Sequence, residues 1–252
     1  MYSLSASDLL NIWEASSDRR PVEQALTILH TALPNIPIDT LAKLTIGRRD
    51  ALLLRLRELT FGPLLQGVVD CPKCHERLEL AFDARTFQPS NAALPDLAEM
   101  ELQTMERMIT ESNYQIIFRL PTSADVAACT LSTDVGETRQ TIAEACIVSI
   151  HQENNAIPVR DLPAEVLVTV IKQMENADPY GNLNLSAVCP ACNHSWSILF
   201  DIVSYFWKEI SSWAARLMSE VHILAWAYGW QEKDILSMSA WRRQRYMELI
   251  GS

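Results

Sequence analysis

The feature that most constrains this chain is a thirteen-residue segment that occurs twice. "CPKCHERLELAFD" begins at Cys71 and "CPACNHSWSILFD" at Cys189, and the two align without a gap. Cys71 falls on Cys189, Cys74 on Cys192, Leu78 on Trp196, Leu80 on Ile198, Phe82 on Phe200 and Asp83 on Asp201. Each copy follows an apolar lead-in, "LLQGVVD" or "LNLSAV", and each continues with alternating apolar and polar residues. That pattern predicts a strand, a thiolate turn and a return strand. The proline after each first cysteine presets the turn.

Two thiolates cannot fill a tetrahedral shell, but two such turns facing each other can. Zinc prefers four ligands, with sulfur at about 2.3 Å, and closed structural sites often use cysteine alone. The expectation is one structural Zn2+ ion on Cys71, Cys74, Cys189 and Cys192, with the two knuckles forming a zinc ribbon split across the chain. A redox C-x-x-C would start a helix, where the dipole lowers the thiol pKa; here strand-like alternation follows each motif. Two separate sites, each recruiting His75 or His194, form the other alternative, although those histidines do not align with each other. Cys129 in "VAACT" and Cys146 in "AEACIVS" lie in apolar helical patterns and are expected in the core.

With 252 residues the chain is long enough for a substantial core. No run approaches the roughly 20 apolar residues of a membrane span, and "MYSLSASDLL" lacks the pattern of a secretory signal. Cysteines spaced as metal ligands suit a reducing compartment, so the expected location is cytoplasmic. The net charge of −10 argues against a nucleic-acid-binding zinc ribbon, whose affinity comes from neutralising phosphates. The basic runs "IGRRDALLLRLRE" and "WRRQR" read as solvated helix faces.

Around the knuckles the pattern is mostly helical, and the expected class is α+β, predominantly helical, with a split zinc ribbon. The expected organisation is an N-terminal helical region (1–64), the first knuckle hairpin (65–88), a central hairpin plus helices (89–182), the second knuckle hairpin (183–201) and a C-terminal long helix with two short ones (202–252), all in one zinc-linked unit. "SASDLLNIWEA" and "RPVEQALTILHTAL" have helical spacing, and "PIDTLAKL" reads as a short helix capped by Asp39. "GRRDALLLRLRELTFG" points Leu52, Leu56 and Leu59 inward and its arginines outward, and Gly62-Pro63 stops it.

"QPSNAALPD" reads as a linker, and residues 99–120 as a hairpin of "EMELQTM", a polar connection and "NYQIIFRLP". The first of those strands reads equally well as a helix continuing through Met108. "SADVAACTL" and "GETRQTIAEACIVSI" read as helices, "NNAIPVRDLP" as a loop and "PAEVLVTVIKQMENADP" as a helix. The longest helix begins after Asp201, which is placed to cap it. Its stripe is Ile202, Phe206, Ile210, Trp213, Leu217, Val221, Leu224 and Tyr228. Trp207 and Trp226 fall off that stripe, as a second packing surface or as partner contacts. No glycine-rich phosphate loop, G-x-S-x-G or H-E-x-x-H is present. A four-cysteine site has no open position for water, so the expectation is a protein that is not an enzyme.

"IGRRDALLLRLRELTFGPLLQGVVDCPKC", "FRLPTSADVAA", "CPACNHSW", "FDIVSYFWKEI" and "EVHILAWAYGWQEKDILSMSAWRRQRYMELIG" together resemble the baseplate hub assembly chaperone family of T-even-type phages, as found in phage-like contractile injection systems. The resemblance runs through nearly the whole chain, and its cysteine pairs fall on Cys71, Cys74, Cys189 and Cys192. It implies an assembly factor for the baseplate or hub of a contractile tail, with a permanent structural baseplate subunit as the alternative. The implied partners are baseplate or hub proteins. Trp207, Trp226, Trp230, Trp241 and Arg242 are the candidate contacts.

Overall fold

In the computed structural model, residues 1–87, 106–129, 135–153 and 155–251 are described. The N-terminal body is helical. α1 (Ala6–Ser16) opens on a capping box between Ser5 and Asp8, and α2 (Pro21–Ala32) has its proline at the first turn, where no N–H is missed. α3 (Ile38–Ala42) begins two residues earlier than expected: extended Pro37 is its N-cap, and Asp39 lies inside the first turn rather than capping it. α4 (Ile46–Phe61) is capped by the Thr45 hydroxyl and ends at Gly62, whose φ of 89° suits a residue without Cβ.

Helix α4 is more enclosed than its pattern implies. Leu52, Leu53, Leu54 and Leu56 are buried, whereas Leu59 is exposed. Arg49 and Arg57 turn inward, not outward. Each buried guanidinium finds partners, as it must. Arg57 donates to both carboxylate oxygens of Glu209, at 2.8 and 2.5 Å, and to the Gly62 carbonyl at 2.7 Å. Arg49 donates to Asp50 at 2.7 Å and to the Ser123 hydroxyl at 3.3 Å. Burial pushes the Asp50 carboxyl up to about 6 even with Arg49 beside it. The first turn of α4 is also closed by a distant residue. Asp178 accepts the Gly47 N–H at 2.8 Å, and a Cβ on residue 47 would meet its Oδ1 at 1.9 Å. Only glycine fits there.

Next come β1 (Leu64–Asp70) and β2 (Arg77–Asp83), an antiparallel pair. The central region is a four-stranded antiparallel sheet in the order β3 (Arg107–Glu111), β4 (Tyr114–Phe118), β5 (Ile147–Gln152), β6 (Asn155–Ala156). Three expectations change here. The strand pairing with "YQIIF" is Arg107–Glu111, in place of the expected polar connection; Met108 is therefore in a strand, and Ser112-Asn113 is the turn. "EMELQTM" and "QPSNAALPD" lie outside the described residues. Residues 147–152 form a central strand rather than extending the helix, because Ile147, Val148 and Ile150 favour the pleated surface. The expected loop "NNAIPVRDLP" contributes β6.

α5 (Ser123–Ala128), α6 (Val135–Ala145) and α7 (Ala164–Ala177) complete this region. Ile116, Phe118 and Ile150 from the sheet pack with Ala143, Cys146, Val166 and Val170. Cys146 is a core residue, as expected, but Cys129 sits at the C-cap of α5 and is half-buried. The helix stops too early to carry Cys129 inside.

β7 (Asn184–Val188) and β8 (Ser195–Leu199) form the second hairpin, followed by α8 (Ile202–Tyr228), α9 (Glu232–Leu236) and α10 (Ala240–Ile250). The N-terminal half of α8 inserts Ile202, Val203, Phe206 and Ile210 among the buried residues of α1, α2 and α4. Its C-terminal half buries Ala214 and Leu217 beside Leu10, and its expected stripe thins to half-buried Trp213 and Val221 and exposed Tyr228. The N-terminal core is thus closed by a helix from the far end of the chain.

Candidate metal centre

The two thiol turns have the same internal hydrogen bonds. In the first, the Cys71 N–H donates to the Glu76 carbonyl and the His75 N–H to the Cys71 carbonyl, both at 2.9 Å. In the second, the Cys189 N–H donates to the His194 carbonyl and the Asn193 N–H to the Cys189 carbonyl, also at 2.9 Å. His75 and Asn193 hold the same place, with φ of 59° and 54°. Histidine and asparagine tolerate this left-handed region better than most residues. That explains why the two histidines do not align: His75 closes a turn, while His194 stacks on Trp196 at 6.0 Å.

The match extends beyond the turns. Asp83 ends β2, Asp201 lies two residues beyond β8, and each caps the next element. Asp83 accepts the Arg85 N–H at 2.9 Å over a single 3-10 turn (84–87), and Asp201 accepts the Val203 and Ser204 N–H groups at the start of α8. The equivalent Phe82 and Phe200 converge on Phe87, whose ring lies 6.4 Å from one and stacks at 6.2 Å on the other. The sequence gives no sign of this role for Phe87, because the residue belongs to neither repeat.

All four sulfurs lie within 4.8 Å of one another, and no disulfide joins them. The Cys71 and Cys192 sulfurs are 3.7 Å apart, and those of Cys74 and Cys189 are 3.5 Å apart. Each short distance joins the first cysteine of one turn to the second of the other, so the halves are related by an approximate two-fold axis. Sulfurs held tetrahedrally at about 2.3 Å from one centre are about 3.8 Å apart. The cluster fits a metal ion.

Electrostatics point the same way. Burial opposes ionisation of Cys71, yet the Cys74 and Lys73 amides outweigh it and hold that thiol down at about 7. The Glu76 amide favours a Cys74 thiolate, but the sulfurs of Cys192, Cys189 and Cys71 push that group up to about 12. Four thiolates this close repel one another unless a cation sits among them. Cys71 and Cys189 are fully buried, Cys192 is half-buried and Cys74 is exposed. The approach to the cluster is on the Cys74 side.

The hairpins are tied to the body through α8. The Tyr205 hydroxyl accepts the Gln66 N–H at 2.8 Å and donates to its carbonyl at 2.9 Å, and Arg57 lies 5.6 Å over the Tyr205 ring.

The candidate partner contacts are scattered. Trp207 is half-buried against the N-terminal core. Trp230 stacks on Tyr228 at 4.4 Å and meets Tyr246 edge-on. Arg242 lies over the Tyr246 ring, and Trp226 and Trp241 are exposed on different helices.

These features define a mixed helix-and-sheet protein in which two equivalent hairpins bring four thiols into a cluster able to hold a metal ion. A family described as "T4 bacteriophage base plate protein" matches residues 5–207, and the chain belongs to that family. No curated protein and no solved structure matches it. Among the described residues, no helix is long and apolar enough to cross a membrane.

Proposed function

We propose that this protein is a non-enzymatic assembly factor, a chaperone, for the baseplate or hub of a contractile tail, stabilised by one zinc ion on Cys71, Cys74, Cys189 and Cys192. The observation that carries the metal half of this reading is the clustering of four thiols from two distant turns, all within 4.8 Å of one another. An all-sulfur tetrahedral set selects zinc or iron among common ions, and a closed zinc site would cross-link the hairpins and neutralise their thiolates. Membership of the base plate family supports a role beside other baseplate proteins. The accessible Trp241 and Arg242 are the contacts to test first. The net charge of −10 weighs against binding nucleic acid.

Elemental analysis of purified protein should find one zinc per chain; none, or iron instead, rejects zinc. Mass spectrometry of mature particles separates the two baseplate readings. An assembly factor is absent from mature particles, whereas a permanent structural subunit is present at fixed stoichiometry. The same family membership supports that second reading. Until assembly, the expected location is the cytoplasm.

A further inference from the structure

The two thiol turns agree in backbone and differ in what covers their sulfurs. Cys71 and Cys189, the first cysteine of each, are fully buried. The second cysteines part company: Cys192 is half-buried, and Cys74 is the exposed member of the four. The residues that follow supply the reason. In the second hairpin, Trp196 packs with Cys192 against the buried Cys71, Leu78 and Cys189, and His194 stacks on the indole. The equivalent residues of the first hairpin are Leu78, whose smaller side chain is spent inside that same core, and Glu76, which stands in solvent. Residues 72–77 are exposed without a break. One corner of the cluster is open, and the other three are covered fully or in part.

We propose that Cys74 is the exchangeable ligand of this cluster, the sulfur that gives up its place to a small free thiol from solution, while Cys71, Cys189 and Cys192 keep theirs. This inference rests on the metal reading above and adds to it a route of loading and removal.

The asymmetry matters because zinc is stable with three protein ligands and a water in the fourth position. Water is at hand only where a departing sulfur already faces solvent. At Cys71 or Cys189 a departing sulfur would leave a gap that solvent does not reach, beside charge that nothing compensates. At Cys74 the displaced thiolate stays hydrated. A soft sulfur donor also replaces like with like: one sulfur–metal contact forms as another breaks, and the charge at the site is unchanged.

Peptide mass mapping of the metal-loaded wild-type protein during treatment with iodoacetamide tests the order directly. Each labelling forms a carbon–sulfur bond and expels iodide, with the thiolate as nucleophile. Of the four cluster cysteines, Cys74 should be labelled first. A second measurement follows hand-over of the metal to the chromogenic chelator pyridylazoresorcinol, which glutathione should speed in the wild type. Cys74→Ser should purify with close to the wild-type metal content and hand it over faster by about tenfold or more. Cys192→Ser, the equivalent change in the other turn, should purify depleted in metal. A wild-type protein that binds no metal rejects the parent reading and takes this inference with it. In loaded protein, a first label on another of the four or on none, a hand-over indifferent to glutathione, or a Cys74→Ser chain as depleted as Cys192→Ser overturns the exchange role and leaves the metal centre standing.

Discussion

The two thiol hairpins share a sequence rule but differ in how they are held. β1–β2 pairs seven residues per strand, and β7–β8 pairs five. The longer hairpin sends Leu65 into the N-terminal core and is pinned to α8 by Tyr205, yet it leads only into a single 3-10 turn and leaves Cys74 in solvent. The shorter one runs through Asp201 directly into a helix of 27 residues. Local chemistry made the turns alike, and tertiary context made one a docked flap and the other the root of the longest helix. In the proposed zinc-bound state the metal couples them.

The largest test of that coupling is removal of a ligand from either side. Cys71→Ser and Cys189→Ser should each lower the melting temperature by more than about 10 °C, and a chelator should do the same to the wild type but add nothing to the variants. Unequal losses would mean that the hairpins stand separately. Next in size is a contrast between the equivalent caps. Asp201→Ala should cost about 1–2 kcal/mol in chemical denaturation, because it uncaps α8, while Asp83→Ala should scarcely register. Similar costs would show that α8 does not depend on its cap.

Tyr205→Phe removes the hydroxyl that bridges the Gln66 backbone. It should cost about 1 kcal/mol and speed hydrogen exchange at the Gln66 amide while leaving β7–β8 unchanged. The smallest effect is expected at the left-handed positions. His75→Gly and Asn193→Gly should stay near wild-type stability, whereas a valine at either site should cost about 1 kcal/mol. A valine tolerated at only one site would break the equivalence of the turns.

What can be read from sequence is what is local. The thiol turns, the capping role of Asp201 and the first half of the α8 stripe are written in short-range spacing, and the structure holds them in those roles. The sheet is harder. "ERMITE" carries charges typical of a connection, and "IVSI" continues an apolar run that a helix and a strand share, so only pairing with β4 decides both. Inward Arg49 and Arg57 are not readable, because their partners Ser123 and Glu209 lie 74 and 152 residues away. Gly47 and Asp178 meet across 131 residues and give no local sign. The sulfur cluster is the exception among long-range contacts, since repetition of the motif announces that its halves meet.

That separation imposes an order on synthesis. Cys74 and Cys189 are 115 residues apart, and at 5–20 residues per second the second turn leaves the ribosome about 6–23 s after the first. During that interval the early thiols have no mates, and the helices around α4 lack Phe206 and Ile210 to seal them. A nascent chain of this kind is open to stray oxidants and to other polypeptides until its last third emerges.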